Sequence, residues 1–182
     1  LERSGAKVLI LCPNFRGINF IEVLGQIDTH HLTKLESVVA YNEGDEFYVE
    51  SIGDLPVCSY EALLRSTEPA SNRVSADSGC IIFTTSGTTK RPKLVLHAQK
   101  GIVHHAREVA VVLGLGEAKA TLLQVIPFCG VYGFSQAVAA LVGGAAIVCV
   151  PEFNADDTLA LIDTYRISHL CGSDEMFARL MD

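Results

Sequence analysis

Apolar, β-branched runs alternate along this chain with stretches that carry helical patterning. Short runs at 7–12, 35–41, 79–84, 121–126, 145–150 and 168–171 are apolar on both faces, as strands inside a covered parallel sheet are. Between them, residues 18–27, 60–65, 100–113, 131–142, 156–165 and 174–180 read as helices. The alternation predicts βαβ units with right-handed crossovers, hence an α/β fold of mostly parallel sheet flanked by helices. Residues 67–78, TEPASNRVSADS, hold little apolar side chain and read as a linker or loop. The expected organisation is therefore a first α/β lobe at 1–66, the linker at 67–78 and a second α/β lobe at 79–182.

Composition narrows the function classes. With 49% hydrophobic and 19% charged residues among 182, the chain can bury a core and is not a disordered tail. A net charge of -7 argues against a nucleic-acid-binding surface. No apolar run approaches the roughly 20 residues of a membrane helix; residues 141–150 reach half that. The opening LERSGAK is polar, unlike a signal sequence, and lacks an initiator Met, so Leu1 reads as an internal start. No two of the six cysteines have C-x-x-C spacing, and most sit in apolar runs. Buried free thiols in a reducing cytoplasm are the expectation.

The chemistry concentrates in residues 79–97, GCIIFTTSGTTKRPKLVLH. An apolar strand runs into Thr84, Thr85, Ser86, Gly87, Thr88 and Thr89, five hydroxyls around one glycine. Packing alone does not explain the cluster, because small hydroxyl side chains bury little apolar area. A polyanion does: hydroxyls and backbone N–H groups after a strand wrap phosphate oxygens, and Gly87 lets those amides converge. Lys90, Arg91 and Lys93 add positive charge, and Pro92 stiffens the approach to Lys93. A polar surface turn with solvated bases is the plain alternative. A Walker A loop fails, for want of a second glycine and a Lys-Ser/Thr pair. A nucleophile elbow fails because no glycine stands two residues before Ser86.

The segment resembles the phosphate loop of the AMP-forming acyl-CoA synthetases (adenylate-forming ligases), roughly T-S-G-[ST]-T-G-x-P-K-G followed by a hydrophobic strand and a His. Thr85, Ser86, Gly87, Thr88, Thr89, Pro92, Lys93 and His97 fall in register. The resemblance implies that Thr85 through Thr89 hold the β- and γ-phosphates of ATP and that Lys93 helps neutralise them. Lys90 and Leu94 stand where the family has glycine. Downstream, IPFCGVYGF at 126–134 resembles the P-L-F-H-x-x-G segment, with Gly130 in place of a His or aromatic ring. Gly172-Ser173-Asp174 resembles the G-x-P turn that lines the acyl pocket. Gly130 and Gly172 are accordingly the candidate acid-binding positions, and the absent ring at 130 leaves room for a bulky or aromatic acid.

The resemblance places the chain in the layered N-terminal domain of these ligases, which use ATP with Mg²⁺ to join a small-molecule carboxylic acid to a thiol such as coenzyme A. The family's Mg²⁺-holding glutamate, ribose-binding segment and late lysine are not found before Asp182. The sequence thus reads as a middle portion of a larger enzyme and is expected to be inactive alone. Two alternatives stand beside this reading, a non-catalytic nucleotide- or anion-binding α/β module and a purely structural domain. Of the remaining polar residues, His104 and His105 lack a metal partner at ligand spacing, and His30 with His31 read as a helix end. Asn154, Asp156 and Asp157 read as a helix start, and His97 as a strand end.

Overall fold

The computed structural model describes residues 1–41, 49–65, 74–85 and 92–182. The chain divides into two compact units, Leu1–Asn72 and Arg73–Asp182.

The first unit holds β1 (Val8–Leu11), β2 (Asn14–Phe15), β3 (Ile18–Asn19), α1 (Phe20–Gly25), β4 (Ser37–Ala40), β5 (Ser51–Ile52), β6 (Leu55–Ser59) and α2 (Tyr60–Leu64). Its sheet runs β1-β4-β6-β5, parallel except for β5 at one edge. The inner strand β4 is the most buried, with Val38, Val39 and Ala40 all covered and Leu24 and Ile52 packed beside Val38. The expected helix 18–27 is shorter. Ile18 and Asn19 instead close a two-residue hairpin with β2, and Asn19 then caps α1 through the amides of Ile21 and Glu22. Arg16 and Gly17, both at positive φ, make that hairpin turn. His30 and His31 end a single 3-10 turn, as expected of a helix end.

The second unit holds β7 (Gly79–Thr85), β8 (Lys93–Ala98), α3 (Gln99–Leu113), β9 (Thr121–Gln124), α4 (Val131–Gly143), β10 (Ala146–Cys149), α5 (Ala155–Tyr165), β11 (His169–Leu170) and α6 (Asp174–Met181). Strands β10, β9 and β11 form a parallel sheet in that order. Leu115 and Leu122 are fully buried there with Ala110, Ala139 and Ala140. Each such leucine contributes about 1.5–3 kcal/mol by leaving water. Small residues let α3 and α4 approach, and a Cβ at Gly143 would stand 2.8 Å from the Leu115 carbonyl oxygen. Both helices stop at a left-handed glycine, Gly114 and Gly144, after which Leu115 and Ala145 bond back to Ala110 and Ala140.

His169 ties this unit together at the opposite end from its ligand-type turns. Its Nε2–H donates to the Leu113 carbonyl at 2.6 Å, and Nδ1 accepts from Ser168 at 2.7 Å. The Ser168 hydroxyl also accepts the amide of Thr121 at 2.9 Å. One imidazole so joins the end of α3 to the starts of β9 and β11.

Two expectations need correction. The strand expected at 79–84 does not enter a parallel sheet; β7 pairs antiparallel with β8. Only residues 86–92 separate the two strands, and a parallel crossover needs a dozen or more. The cysteines are free but not buried. Cys58, Cys80, Cys129 and Cys149 are exposed, and Cys12 and Cys171 are partly covered. Apolar neighbours in sequence did not bury them: Cys80 shares the open face of β7 with Ile82 and Thr84, and Cys149 stands at the exposed end of β10.

Candidate functional site

The hydroxyl-rich segment is the connection of the β7–β8 hairpin. Thr85 and Lys93 are the last paired residues before it, directly opposite each other and both exposed. Opposed residues of an antiparallel pair point to the same face. Thr85 and Lys93 therefore share a face with Phe83, Ile81, Val95 and His97. That face is the packed one. Phe83 is 6% exposed and meets Phe134 edge-on at 5.4 Å between ring centres and His97 at 5.7 Å. The opposite face carries Ile82 and Leu96, both open to solvent. Ser86, Gly87, Thr88 and Thr89, with Lys90 and Arg91, lie outside the described residues.

Phe134 belongs to the first turn of α4, where its amide bonds to the Gly130 carbonyl at 3.0 Å. The contact with Phe83 thus sets the hairpin against the turn that carries Gly130. Gly130 is the N-cap of α4 and offers no side chain to the free amides of the first turn. A Cβ there would meet only the Pro127 carbonyl oxygen, at 3.8 Å, so the missing ring leaves open space. Gly133, three residues on, is different. Its Cβ would stand 2.3 Å from the Pro127 oxygen and 2.7 Å from that of Ile126. Buried Gln124, the last residue of β9, donates to the carbonyls of Ile126 and Gly133 and fixes the same turn.

Gly172 follows β11, the neighbour of β9, so the Gly130 and Gly172 turns leave the same carboxyl edge of one parallel sheet. Ligands of open α/β sheets gather at that edge. Ser173 caps α6 through the amide of Met176 at 3.3 Å. Asp174 is then the first helical residue, a place that suits proline for its fixed φ and aspartate for its charge alike. The two turns come together at Tyr132 and Cys171, whose hydroxyl and thiol lie close enough to shift each other's titration. Burial pushes the Tyr132 phenol up, and the neighbouring Cys171 adds to that shift. Burial also pushes the Cys171 thiol up, against the opposing effect of the Tyr132 hydroxyl.

Sequence reasoning gave no role to Phe83, Phe134, Cys171, Gln124 and Gln136. A glutamine inside the apolar runs TLLQV and SQAVAAL was the signal for the last two. His104 and His105 find no metal partners, since the described residues hold no group of three His, Cys, Asp or Glu that could bind an ion. His105 Nε2 bonds instead to Ser135 at 2.9 Å. Asn154 caps α5 as expected, through the amide of Asp157. Two open hollows of the second unit are lined by other residues. One, of about 530 Å³, sits by Arg107, Val111 and Val142; the other, of about 710 Å³, by Phe153 and Asp157. Neither includes Thr85, Lys93, Gly130 or Gly172. Among the described residues no helix is long and apolar enough to cross a membrane.

The architecture is that of an adenylate-forming ligase domain. It matches o-succinylbenzoate coenzyme A synthetase of Bacillus subtilis, solved with ATP and magnesium ion, at TM-score 0.64 and 17% identity, over 96% of this chain and 52% of that one. In sequence, the chain is 36% identical over 114 residues to indoleacetate–CoA ligase of Aromatoleum aromaticum, covering 60% of this chain and 22% of that protein. It is 27% identical over 133 residues to 2-succinylbenzoate–CoA ligase of Bacillus pumilus, covering 71% and 27%. The chain thus spans about a quarter of the length of these relatives. The family model of AMP-binding enzymes matches residues 1–182, and the chain belongs to that family.

Proposed function

We propose that this chain supplies the ATP-phosphate-binding and acid-binding parts of an AMP-forming acid–thiol ligase. In the first half-reaction a carboxylate oxygen attacks the α-phosphorus of ATP, the bond to the β-phosphate oxygen breaks, and pyrophosphate leaves an acyl-adenylate. In the second, a thiolate attacks the acyl carbon and AMP departs. Such transfer is mostly positioning and charge neutralisation. The observation that carries the reading is the pairing of Thr85 with Lys93 at the mouth of a hairpin whose connection is Ser86-Gly87-Thr88-Thr89-Lys90-Arg91-Pro92. Thr85, Ser86, Gly87, Thr88 and Thr89 would hold the β- and γ-phosphates, and Lys93 would balance charge on the leaving pyrophosphate.

Gly130 and Gly172, at the carboxyl edge of the sheet, would border the acid. Relatives named for indoleacetate and 2-succinylbenzoate support an aromatic acid here, with coenzyme A as the thiol. Among the described residues no group of three His, Cys, Asp or Glu could hold Mg²⁺. Six free cysteines suit a reducing cytoplasm.

The test is acid-dependent exchange of labelled pyrophosphate into ATP, measured in the enzyme that carries this chain. A charge-assisted contact of about 1.5–3 kcal/mol means that Lys93→Ala slows exchange by roughly 10- to 150-fold. A change within about twofold would remove Lys93 from the phosphate site. ATP binding without acid-dependent exchange would favour a nucleotide-binding module instead.

A further inference from the structure

Gln124 closes β9, the middle strand of its parallel sheet, and is 4% exposed beside buried Leu122, Leu123 and Val125. A side chain that only filled this space would be apolar, because burying an amide is costly unless its hydrogen bonds are made. Here they are made to the turn that follows. The Nε2 group donates to the Ile126 carbonyl at 2.5 Å and to the Gly133 carbonyl at 3.2 Å. A carboxamide nitrogen carries two hydrogens, one for each acceptor.

The two acceptors bracket the turn. Ile126 leads into it and Gly133 lies in the first turn of α4, with Pro127, Phe128, Cys129 and Gly130 between them, all four exposed. Inside the turn the Gly130 amide reaches the Pro127 carbonyl at 3.3 Å, a long bond. An exposed stretch of backbone is thus clamped at both ends by one buried amide. The β7–β8 hairpin is pinned by other means. The amides of Gln99 and Lys100, at the start of α3, bond to the carbonyls of Ser78 and Ala76 at 3.0 and 2.9 Å, and the Lys100 side chain pairs with Asp77. Loss of the Gln124 amide would therefore release the Gly130 turn and leave the hairpin base in place.

We propose that Gln124 is the positioning residue of the acid-binding turn, its amide fixing where the backbone at Gly130 stands against the bound acid. The assignment rests on the acid–thiol ligase reading, in which Gly130 borders the acid, and adds the residue that holds that border. Gln124 touches no substrate and acts through the carbonyls of Ile126 and Gly133. A misplacement of about 1 Å transmitted this way can cost on the order of 100-fold in a reaction governed by positioning.

The experiment measures acid-dependent pyrophosphate exchange into ATP in the enzyme that carries this chain, with acetate, phenylacetate and indoleacetate. Apparent KM values for ATP and for the preferred acid are compared in wild type, Gln124→Met, Gly133→Ala and Val112→Ala. Methionine keeps the length of glutamine but donates nothing, and alanine at 133 pushes the same turn from the helix side. Both should raise KM for the acid by about tenfold and leave that for ATP within about twofold. Val112, 80% exposed on α3, should change neither value when cut to alanine. A glutamine that served stability alone would lower kcat through the active fraction and leave both KM values in place. An acid KM within about twofold of wild type in Gln124→Met overturns the assignment, and so does a rise shared equally by ATP. Should the methionine variant not fold, Gln124→Asn, whose amide is drawn back by one carbon, takes its place, and failure of both to fold overturns the assignment. Exchange with none of the acids in wild type overturns the ligase reading and the assignment with it.

Discussion

Replacing Gly133 by alanine tests how tightly the turn after β9 is locked to α4. The added Cβ would lie 2.3 Å from the Pro127 carbonyl oxygen, 2.7 Å from that of Ile126 and 2.9 Å from Ile126 Cγ2. Two of these are backbone atoms, so no side-chain rotation relieves the overlap and the turn itself must move. Overpacking of this kind costs about 1–3 kcal/mol. Movement of the turn also strains the Gln124 bonds to Ile126 and Gly133, each worth about 1 kcal/mol. The alanine returns about 1 kcal/mol of helix propensity. A net loss of about 2–4 kcal/mol results from these opposing effects. Gly130→Ala is the matched control: its Cβ finds open space, and an N-cap change from glycine to alanine costs about 0.5–1 kcal/mol. The chain contains no tryptophan, so urea unfolding is best followed by far-UV circular dichroism. With an m-value near 2 kcal/mol/M, Gly133→Ala should lower the midpoint by roughly 1–2 M. If the two variants unfold within about 0.5 kcal/mol of each other, well inside that predicted loss, the close approach at Gly133 is not real and the argument falls.

The aromatic contact between hairpin and helix predicts a second loss. Phe83→Ala should cost about 3–5 kcal/mol and lower the Tm by roughly 10 °C. Ile82→Ala, on the exposed face, should cost far less; equal losses would mean that Phe83 does not anchor the hairpin. Cys171 gives a prediction in pH. Its thiol is held up by burial and restrained by Tyr132, so at pH 8 iodoacetamide should label it more slowly than exposed Cys58, Cys80, Cys129 and Cys149. Removing the hydroxyl in Tyr132→Phe should slow labelling further, and faster labelling read by peptide mass spectrometry would reverse the assigned direction. Because the folded-state value is raised, the stabilising contribution of the neutral thiol is present below the usual 9.0 and lost as pH rises through the raised value.

The sequence by itself determined the α/β class and the location of the six strands and six helices it predicted, to within a few residues at their ends. Periodicity and caps are local, and long elements such as 100–113 and 131–142 carry enough turns to declare themselves. It also determined the order of the chemistry along the chain, from the hydroxyl loop to Gly130 to Gly172, because composition marks such segments wherever they fold. It could not show β5 and β6, where Pro56 and two-residue pairing erase the alternation that signals a strand. The tertiary structure alone decided that residues 79–85 pair antiparallel with 93–98, since pairing is a relation between segments that neither declares. It alone distinguished Gly133, pressed against two carbonyls, from Gly130, which faces open space three residues away. It alone showed that Gln124 holds a turn, while buried Gln136 has an Oε1 without a partner among the described residues. Each of these outcomes depends on which atoms come within a few ångströms, and that distance is set by packing between elements remote in sequence.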